Sequence, residues 1–483
     1  MKQRFYRTWE AVAVAAGLWA FLGGALQAQQ HQRQITEFLD SRYGELSSVA
    51  RQIWSWAEVG YQEEKSSALL AEKLREAGFR VQTGVAEIPT AFVASYGQGR
   101  PVIALLAEFD ALPGLSQDTV PERKPLPGRD AGHACGHHLF GTAAVGAGIA
   151  VKEWLQKERR SGTIRVYGTP AEEGGSGKVY MVRAGLFDDV DVVLSWHPGD
   201  ENDAGPSTNL ANKSAKFRFH GLSAHAAAAP ERGRSALDAV EAMNFMANLM
   251  REHVPSTSRI HYVITAGGRA PNVVPDYAEV YYYVRHPDPR TVEELFQRLV
   301  KAAEGAALGT GTTMDYEVIG GTYSRLPNET LAKVVDANLR LVGGVTYTPE
   351  EQALAEKIYA TLAPTGKKLG SQSEVEPYEM HVTNASSDAG DVSWVVPSAQ
   401  FTAATWVPGT PAHSWQAVAA GGTSIGFKGM MVAAKTLALS AVDLYLQPRL
   451  VEEARREFEA KRGPNFTYRP LLGDRPPALD YRK

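Results

Sequence analysis

The chain has a single cysteine, Cys135, among its 483 residues. One cysteine cannot form an intramolecular disulfide, so no covalent cross-link within the chain stabilises this fold. A basic excess is also absent, since 50 lysine and arginine residues stand against 54 aspartate and glutamate residues, for a formal net charge of −4. This balance gives no electrostatic reason to expect a nucleic-acid partner.

The N-terminus has the order of a secretory signal peptide. Lys2, Arg4 and Arg7 precede a short apolar run over residues 11–26, and a cleavage site lies near Ala28. The run is short for a membrane span, and an uncleaved membrane anchor is the alternative. We therefore predict a signal peptide over residues 1–28, a mature chain without a stable membrane span, and export to a bacterial periplasm.

The composition is typical of a globular protein, with 44% hydrophobic and 22% charged residues. The length exceeds one ordinary domain, so two domains are expected. From about residue 31 to 212, strand and helix patterns alternate, which predicts an α/β fold with a mainly parallel sheet covered on both faces. The predicted strands are Thr90–Tyr96, Val102–Ala107, Thr163–Gly168 and Val190–Ser195, and the predicted helices are Ser41–Trp56, Lys65–Ala77 and Phe140–Leu155.

Residues 213–322 change character and follow the order βαββαβ. This order predicts a ferredoxin-like sandwich inserted as a separate module. The first domain is then discontinuous, over residues 31–212 and 323–446. The polar segment Pro349–Pro377 is a candidate insertion near the site. The tail, residues 447–483, is charged and then proline-rich, and we assign it no fold.

The sequence GHACGHH at residues 132–138 places the only cysteine between histidines at alternate positions. A thiolate and neutral imidazoles are ligands of zinc and other late first-row metals. In an extended segment, alternate side chains point the same way. The pattern predicts a metal-binding role for this loop, and the alternative is that Cys135 is a small buried residue in a polar loop.

Four further segments carry carboxylates or imidazoles just after a predicted strand, where α/β sheets present functional groups. They are EFD at residues 108–110, TPAEEGG at 169–175, WHP at 196–198 and PAHS at 411–414. Each segment taken singly has an ordinary explanation as a solvated or satisfied polar group. Together with the Cys-His loop they predict a two-metal site.

These motifs resemble the zinc aminoacylase and glutamate-carboxypeptidase family of metallopeptidases, in the branch of N-acyl-amino-acid and p-aminobenzoyl-glutamate hydrolases. The resemblance rests on AEFDALPG, GHACGHHLFGTAA, TPAEEGGSGK, SWHP, GLSAHAAAAPERGRSALDA, GGRAPNVVPD, DAGDVSW and PAHSW, in the family's order over about residues 35–445. It implies a metal-bearing catalytic domain with an inserted dimerisation (lid) domain. A homodimer or higher oligomer formed through the lid is the implied assembly.

By position, the resemblance implies that one or two divalent metal ions are bound. Zinc is favoured for a thiolate and imidazole set, with manganese as the alternative. Glu172 would be the general base, which takes a proton from the metal-bound water and later gives it to the leaving amine. Asp110 would orient a ligand histidine. The implied metal ligands are Cys135, His137, Glu173, His197 and His413.

Three residues of the inserted module have implied roles with the substrate. His225 would donate to the carbonyl oxygen as negative charge develops, often from the partner subunit. Asn272 and Arg285 would hold the substrate's free carboxylate, Arg285 through a bidentate pair. Outside this motif His225 would be an ordinary surface histidine, and Arg285 could equally be a structural ion-pair partner.

The sequence departs from the family pattern at two positions. Glu108 stands where many members have a metal-binding histidine, and His138 stands where aspartate or asparagine is usual. His133 is left open between a metal ligand and a loop residue.

The predicted function is hydrolysis, by attack of a metal-bound water, of the amide bond of an N-acyl or N-aroyl amino acid of the p-aminobenzoyl-glutamate type. The alternatives are a dipeptidase or simple-amide hydrolase of the same family, or a non-catalytic subunit of a hetero-oligomeric enzyme. Retention of Glu172 and the ligand set argues against the non-catalytic subunit. A serine hydrolase is excluded because the elbow-like GTSIG at residues 422–426 follows the last histidine, His413, and that fold needs its histidine after the serine.

Overall fold

The computed structural model describes Gln27 and residues 29–483. The predicted signal peptide lies outside these described residues, apart from Gln27. The strands are β1 (Arg80–Thr83), β2 (Phe92–Gln98), β3 (Val102–Ala107), β4 (Gly162–Gly168), β5 (Val192–Gly199), β6 (Ser207–Thr208), β7 (Ala211–His220), β8 (Arg259–Ala266), β9 (Tyr277–His286), β10 (Thr313–Thr322), β11 (His381–Val382) and β12 (Ser398–Ala404). The helices are α1 (29–41), α2 (Tyr43–Trp56), α3 (Glu64–Glu76), α4 (His137–Lys157), α5 (Gly177–Arg183), α6 (Ala236–Met250), α7 (Pro289–Thr310), α8 (Glu329–Val342), α9 (Pro349–Tyr359), α10 (Ala389–Ser393), α11 (Trp415–Gly421), α12 (Ser424–Leu446) and α13 (Pro448–Arg462).

The larger sheet has the strand order β1-β2-β4-β3-β5-β12. Strands β4, β3, β5 and β12 run parallel, whereas β1 and β2 add antiparallel strands at one edge. Every residue of β3 is buried. Its unbroken apolar sequence VIALLA suits that position, because a central parallel strand is covered on both faces. The carboxyl ends of the parallel strands meet along one edge, where such sheets bind ligands.

Helix α4 begins at His137, earlier in the chain than the predicted start at Phe140. Its first turn therefore approaches the carboxyl end of β3. Small residues allow this approach, since a Cβ atom on Gly141 would lie 2.6 Å from the carbonyl oxygen of Glu108. The close contact brings a helix that starts with a histidine against a strand that ends with a carboxylate.

The smaller sheet has the strand order β10-β7-β9-β8, with every pair antiparallel. Helices α6 and α7 pack against each other and against this sheet, and they enclose a second hydrophobic core. The element order βαββαβ with this strand order is that of a ferredoxin-like sandwich. The fold class predicted from the sequence, a mainly parallel α/β sheet with an inserted ferredoxin-like module, is confirmed.

Helix α12 packs in the hydrophobic core that covers the larger sheet. Among the residues that the structure describes, it is the one helix long and apolar enough to cross a membrane, and 89% of its most apolar window is buried inside the protein. That burial is expected for a central core helix.

The C-terminal tail is ordered, which corrects the assignment of no fold. It starts with α13, which has Pro448 at its first turn, a favoured position for proline. Ala454 and Phe458 are the buried residues of this helix and lie four positions apart, so they share one face. Because only these two buried residues stand among many charged ones, the sequence pattern did not indicate a helix. Residues 463–483 continue without a regular helix or strand, and Leu471 and Leu472 of this stretch are buried.

We expect Gly141→Ala to lower the free energy of unfolding by about 1–3 kcal/mol, because the new methyl group must displace the β3 backbone or the helix. The matched control is Gly305→Ala in α7, where the nearest neighbour of a new Cβ would be Met246 at 3.9 Å. This control should raise stability by up to about 1 kcal/mol through helix propensity. Urea denaturation followed by circular dichroism measures both, and equal losses in the two variants would contradict the close-approach argument.

Candidate metal centre and substrate cleft

The proposed metal ligands come from separate segments that meet at the carboxyl edge of the larger sheet. Cys135 lies in the turn before α4, and His137 is the first residue of that helix. Glu173 follows β4, and His197 lies within β5 opposite Thr402 of β12. His413 follows β12 in a loop. The sheet therefore brings together all five residues that the sequence implied as ligands.

Two overlapping groups of donor atoms form at this edge. Cys135, His137 and His197 each offer one donor atom, and these atoms lie within 4.8 Å of one another. Cys135, Glu173 and His413 form a second such group. The Cys135 Sγ atom lies 3.4 Å from His197 Nε2, and His413 Nε2 lies 3.2 Å from Glu173 Oε1. Cys135 belongs to both groups, so its sulfur would be within reach of an ion held by either one.

Unpaired buried atoms show that these residues fit a metal. In the part of the chain that the structure describes, His137 Nε2 and Glu173 Oε1 are buried without a hydrogen-bond partner. Burial and the Glu173 carboxylate raise the pKa of the Cys135 thiol, so a thiolate there needs a neighbouring cation. A sulfur, imidazole and carboxylate set of this kind suits a divalent transition metal.

Asp110 orients two of these residues at once. Nδ1 of His137 donates to Asp110 Oδ1 at 2.8 Å, which leaves Nε2 of the ring directed towards the donor group. The backbone N–H of Glu173 donates to Asp110 Oδ2 at 2.9 Å. Burial alone would raise the pKa of Asp110, but His137 and this N–H group hold it below its ordinary value. Asp110 therefore stays charged between two ligand-bearing segments.

Glu172 lies beside the ligands and belongs to a third group with Glu108 and His137, again within 4.8 Å. Burial and the nearby carboxylates of Glu108 and Glu173 raise the pKa of Glu172 well above its ordinary value. The preceding residue, Ala171, has φ of 57°, a left-handed conformation that is strained for alanine. Its N–H donates to the buried Glu63 carboxylate at 2.8 Å, which helps to hold this turn.

A buried lysine that the sequence reasoning missed pairs with Glu108. Lys178 Nζ lies 2.7 Å from Glu108 Oε1 and 2.7 Å from Asp388 Oδ1, and all three side chains are almost completely buried. In the sequence, Lys178 only ends a glycine-rich run, and Asp388 only begins the DAGDVSW motif. The other oxygen, Glu108 Oε2, lies 3.1 Å from His137 Nε2 without hydrogen-bond geometry. Lys178 thus compensates the charge of the Glu108 carboxylate.

His133 and His138 do not join the donor groups. His133 Nε2 lies 3.1 Å from the carbonyl oxygen of Ile53, and His138 Nε2 lies 2.9 Å from that of Gly421. Burial lowers the pKa of both rings, so they are neutral core residues. The argument that residues 133, 135 and 137 point the same way is therefore wrong for His133, because the chain turns at residues 134 and 135 instead of remaining extended.

A cleft of about 540 Å³ opens over the donor atoms, and Arg325 lines it. Nη1 of Arg325 donates to Ser207 Oγ at 2.6 Å, but its buried Nε atom has no partner in the described chain. Desolvation lowers the pKa of Arg325 to about 10, despite the nearby Glu108 and Glu172 charges. Asn209 also lines the cleft, and its buried Nδ2 atom is likewise without a described partner.

The sequence contained no signal for Arg325 beyond its place after the inserted module. Two acidic residues of the cleft, Glu201 and Asp203, differ from it because each has an ion-pair partner. Glu201 Oε2 lies 2.6 Å from Lys367 Nζ, and Asp203 Oδ2 lies 2.9 Å from His381 Nε2. Arg325 is therefore a cleft cation without an ion-pair partner among the described residues. Lys367 belongs to the Pro349–Pro377 segment, so this segment contacts the cleft wall at Glu201.

The three residues of the inserted module are placed differently. Arg285 reaches the cleft rim, where its Nη1 lies 3.4 Å from Oγ of Ser386, a lining residue. His225 is exposed, and its Nδ1 accepts from the backbone N–H groups of residues 227 and 228 at 3.2 and 3.1 Å. Asn272 is also exposed, and its backbone carbonyl oxygen accepts from the backbone N–H of the residue after His225. Among the described residues of one protomer, neither His225 nor Asn272 lines the cleft.

Comparison with known proteins identifies the family. Residues 210–310 match the family model described as a peptidase dimerisation domain. The chain is 44% identical over 459 residues to a p-aminobenzoyl-glutamate hydrolase subunit of Escherichia coli (strain K12), across 89% of this chain and 95% of that protein. The chain belongs to the M20 family of peptidases.

Other M20 relatives extend this similarity. The chain is 30% identical over 453 residues to Xaa-Arg dipeptidase of Mus musculus, across 90% of this chain and 94% of that protein. The crystal structure of the Bacillus subtilis YXEP protein, described as a dinuclear metal-binding peptidase from the M20 family, shares the fold with a TM-score of 0.57, at 17% identity and over 84% of this chain and 99% of that chain. As an M20 member, this chain is a metal-dependent hydrolase of amide or peptide bonds.

We expect Cys135→Ser to reduce the affinity for both metal ions by about tenfold or more, because the sulfur belongs to both donor groups. The matched control is His381→Asn, which changes a cleft imidazole outside those groups and should leave the metal content unchanged. Elemental analysis after dialysis against a weak chelator measures the ions bound per chain. Full occupancy in the serine variant would remove Cys135 from the ligand set.

Proposed function

We propose that this M20 enzyme hydrolyses the amide bond between an acyl or aroyl group and an amino acid with a free carboxylate, with p-aminobenzoyl-glutamate as the reference substrate. The observation that carries the proposal is the Arg325 side chain, which has no ion-pair partner among the described residues and lines the same cleft as the metal donors and Glu172. A cation that is partly desolvated and unpaired favours an anionic ligand. The full-length similarity to a p-aminobenzoyl-glutamate hydrolase subunit supports the same substrate class.

Divalent metal ions held by the five donor residues would supply an activated water and a polarised scissile carbonyl. The chain's own residues do the remaining work. Glu172 takes the proton of the attacking water and returns it to the departing amine, which its raised proton affinity and its place beside Glu173 support. Asp110 keeps His137 in the tautomer that a ligand requires.

The substrate's carboxylates have two candidate partners on this chain. Arg325, with Asn209 beside it, faces the cleft interior, and Arg285 stands at the rim. Asn272 and His225 complete this set only if a second protomer brings its inserted module to the cleft. His225 would then stabilise the developing negative charge on the carbonyl oxygen.

The identity of the metal and the oligomeric state are also proposed. The thiolate and imidazole donors favour zinc, and manganese is the alternative. For a homodimer, the support is the dimerisation-domain match together with exposed apolar side chains on the same module. Phe245 and Leu249 are exposed on α6, and Val263 and Ile264 on β8, the edge strand of the smaller sheet. A complex with a second, related chain is the alternative, because the Escherichia coli relative is named as one subunit of its hydrolase.

We also propose that the protein is exported to the periplasm. The support is the order of the N-terminal sequence, with basic residues, a short apolar run and a cleavage site near Ala28.

We expect Glu172→Gln to keep its metal and lower kcat by about 10²–10⁴-fold, because the amide cannot accept the proton. Glu201→Gln is the matched control, since it changes a cleft glutamate that is paired with Lys367. Initial rates per metal-loaded chain measure the effect. Wild-type turnover in Glu172→Gln would overturn the assignment of the base.

The substrate is tested on a panel of p-aminobenzoyl-glutamate, other N-acyl amino acids, dipeptides and simple amides. Each is assayed with and without a chelator, and with zinc or manganese restored. Preference for the anionic N-acyl amino acids supports the proposal. A preference for dipeptides with a cationic residue would favour the dipeptidase alternative, and failure of a metal-loaded chain on every substrate would favour a non-catalytic subunit.

We expect Arg325→Met to raise KM for p-aminobenzoyl-glutamate by about tenfold or more, which corresponds to one lost charge-assisted contact. KM for the diamide of the same compound should change little, since it has no carboxylate. Arg449→Met, on the exposed surface of α13, is the matched control. Equal changes in KM for the acid and the diamide would show that Arg325 does not bind the carboxylate.

A further inference from the structure

The tail segment, defined as residues 463–483, lies between the two hydrophobic cores. Leu471 is 5% exposed and belongs to the core of the inserted module, whereas the next residue, Leu472, is 2% exposed and belongs to the core of the larger sheet. Nη1 of Arg475 donates to the β10 carbonyl oxygens of Val318 and Ile319 at 2.7 and 2.8 Å. The tail segment is therefore anchored before it reaches the metal centre.

The next part of the tail segment is hydrogen-bonded to side chains of the domain that carries the proposed metal ligands. Arg183 donates to the carbonyl oxygens of Gly473 and Arg475 at 3.1 and 2.8 Å. Nε2 of Gln62 donates to the carbonyl oxygen of Leu479 at 2.9 Å. These hydrogen bonds hold the backbone of the segment almost to its end.

Tyr481 and Arg482 contact the glutamate loop, defined as residues 172–175, which carries the proposed base Glu172 and the proposed ligand Glu173. Nη2 of Arg482 donates to the carbonyl oxygen of Glu173 at 2.8 Å, and the hydroxyl of Tyr481 donates to the same oxygen at 3.2 Å. The Tyr481 ring packs edge-on against Tyr61, whose hydroxyl donates to the carbonyl oxygen of Gly175 at 2.7 Å. The loop is thus bonded on both sides of Gly174.

The chain leaves space for this contact. A Cβ atom on Gly60 would overlap the Tyr481 hydroxyl oxygen, so a side chain there would displace the tyrosine. The glutamate loop also needs outside support, because Ala171 and Ser176 flank it in left-handed conformations with φ of 57° and 59°. The backbone of Glu173 is bonded at its N–H by Asp110 and at its carbonyl by the tail segment.

We propose that Tyr481 and Arg482 are positioning residues, which hold the Glu172–Glu173 loop in the geometry needed for metal binding and proton transfer. The inference rests on the proposed function, since it concerns the roles proposed there for Glu172 and Glu173. In this proposal the Glu172–Glu173 loop keeps its geometry through the hydrogen bonds of Tyr481 and Arg482 to the Glu173 carbonyl oxygen. A misplacement of about 1 Å at a catalytic group can cost about 10²-fold in rate.

The test uses the full mature chain with any affinity tag placed at the N-terminus. The variants are Arg482→Met, Tyr481→Phe and a chain that ends at residue 480. Lys483→Met is the matched control, because it removes a neighbouring exposed charge that does not touch the glutamate loop. The measurements are zinc affinity by competition with a chromophoric chelator, kcat and KM for p-aminobenzoyl-glutamate, and the melting temperature of the apoprotein.

We expect Arg482→Met and the shortened chain to bind zinc about tenfold or more weakly and to lower kcat by about 10–100-fold, with KM changed less than about threefold. Tyr481→Phe should show a smaller effect of the same kind. Arg482→Lys should recover part of both losses, because an ammonium can also donate to the carbonyl. The control should match the wild type in every measurement.

Zinc affinity and kcat within about twofold of the wild type in Arg482→Met and in the shortened chain would overturn the inference. A lower melting temperature with normal zinc affinity and normal kcat per folded chain would also overturn it, since the role would then be structural. If the shortened chain does not fold, the single substitutions decide. If the wild type cleaves no amide on the panel, the proposed function fails, while the zinc affinities still test the positioning role.

Discussion

The carboxylate of Asp110 connects two segments that are far apart in the sequence and that each carry a proposed metal ligand. One oxygen accepts from the His137 ring at 2.8 Å, and the other accepts from the Glu173 backbone at 2.9 Å. Because Asp110 is completely buried, both hydrogen bonds form in a low-dielectric environment, where they restrict orientation strongly. This single side chain therefore joins the first turn of α4 to the loop after β4.

Charge compensation is the second constraint at the sheet edge. The carboxylates of Glu108 and Asp110 are buried and lie close to those of Glu172 and Glu173, which line the cleft, and such a cluster is costly without cations. Lys178 offsets Glu108 and Asp388 through ion pairs of 2.7 Å each. The remaining negative charge and the Cys135 thiol are what a bound divalent metal would compensate. The protein thus keeps one internal cation for Glu108 and leaves the other donors for metal ions.

The cleft and the tail segment both adjoin this centre. Arg325 lines the cleft without an ion-pair partner among the described residues, whereas Glu201 and Asp203 have such partners. The tail segment connects the inserted module to the loop after β4, through Arg475 at one end and Arg482 at the other.

The sequence by itself determined the fold class and the family, because strand periodicity and strand-end motifs are local features. The unbroken apolar run of β3 and the βαββαβ order of residues 213–322 were readable in this way. The five donor residues were implied by motif, and their convergence depends on the parallel sheet that the same periodicity predicts. The signal-peptide prediction, by contrast, rests on sequence order alone.

The tertiary structure decided what depends on long-range contacts. His133 is excluded from the donor groups because a turn, and not an extended segment, precedes α4. Lys178 became part of the site because its partners Glu108 and Asp388 come from distant segments. Arg325 and the tail segment carried no local signal, since their roles depend on which groups remain unpaired once the chain is folded. Burial and pairing are properties of the whole fold, and a linear pattern does not contain them.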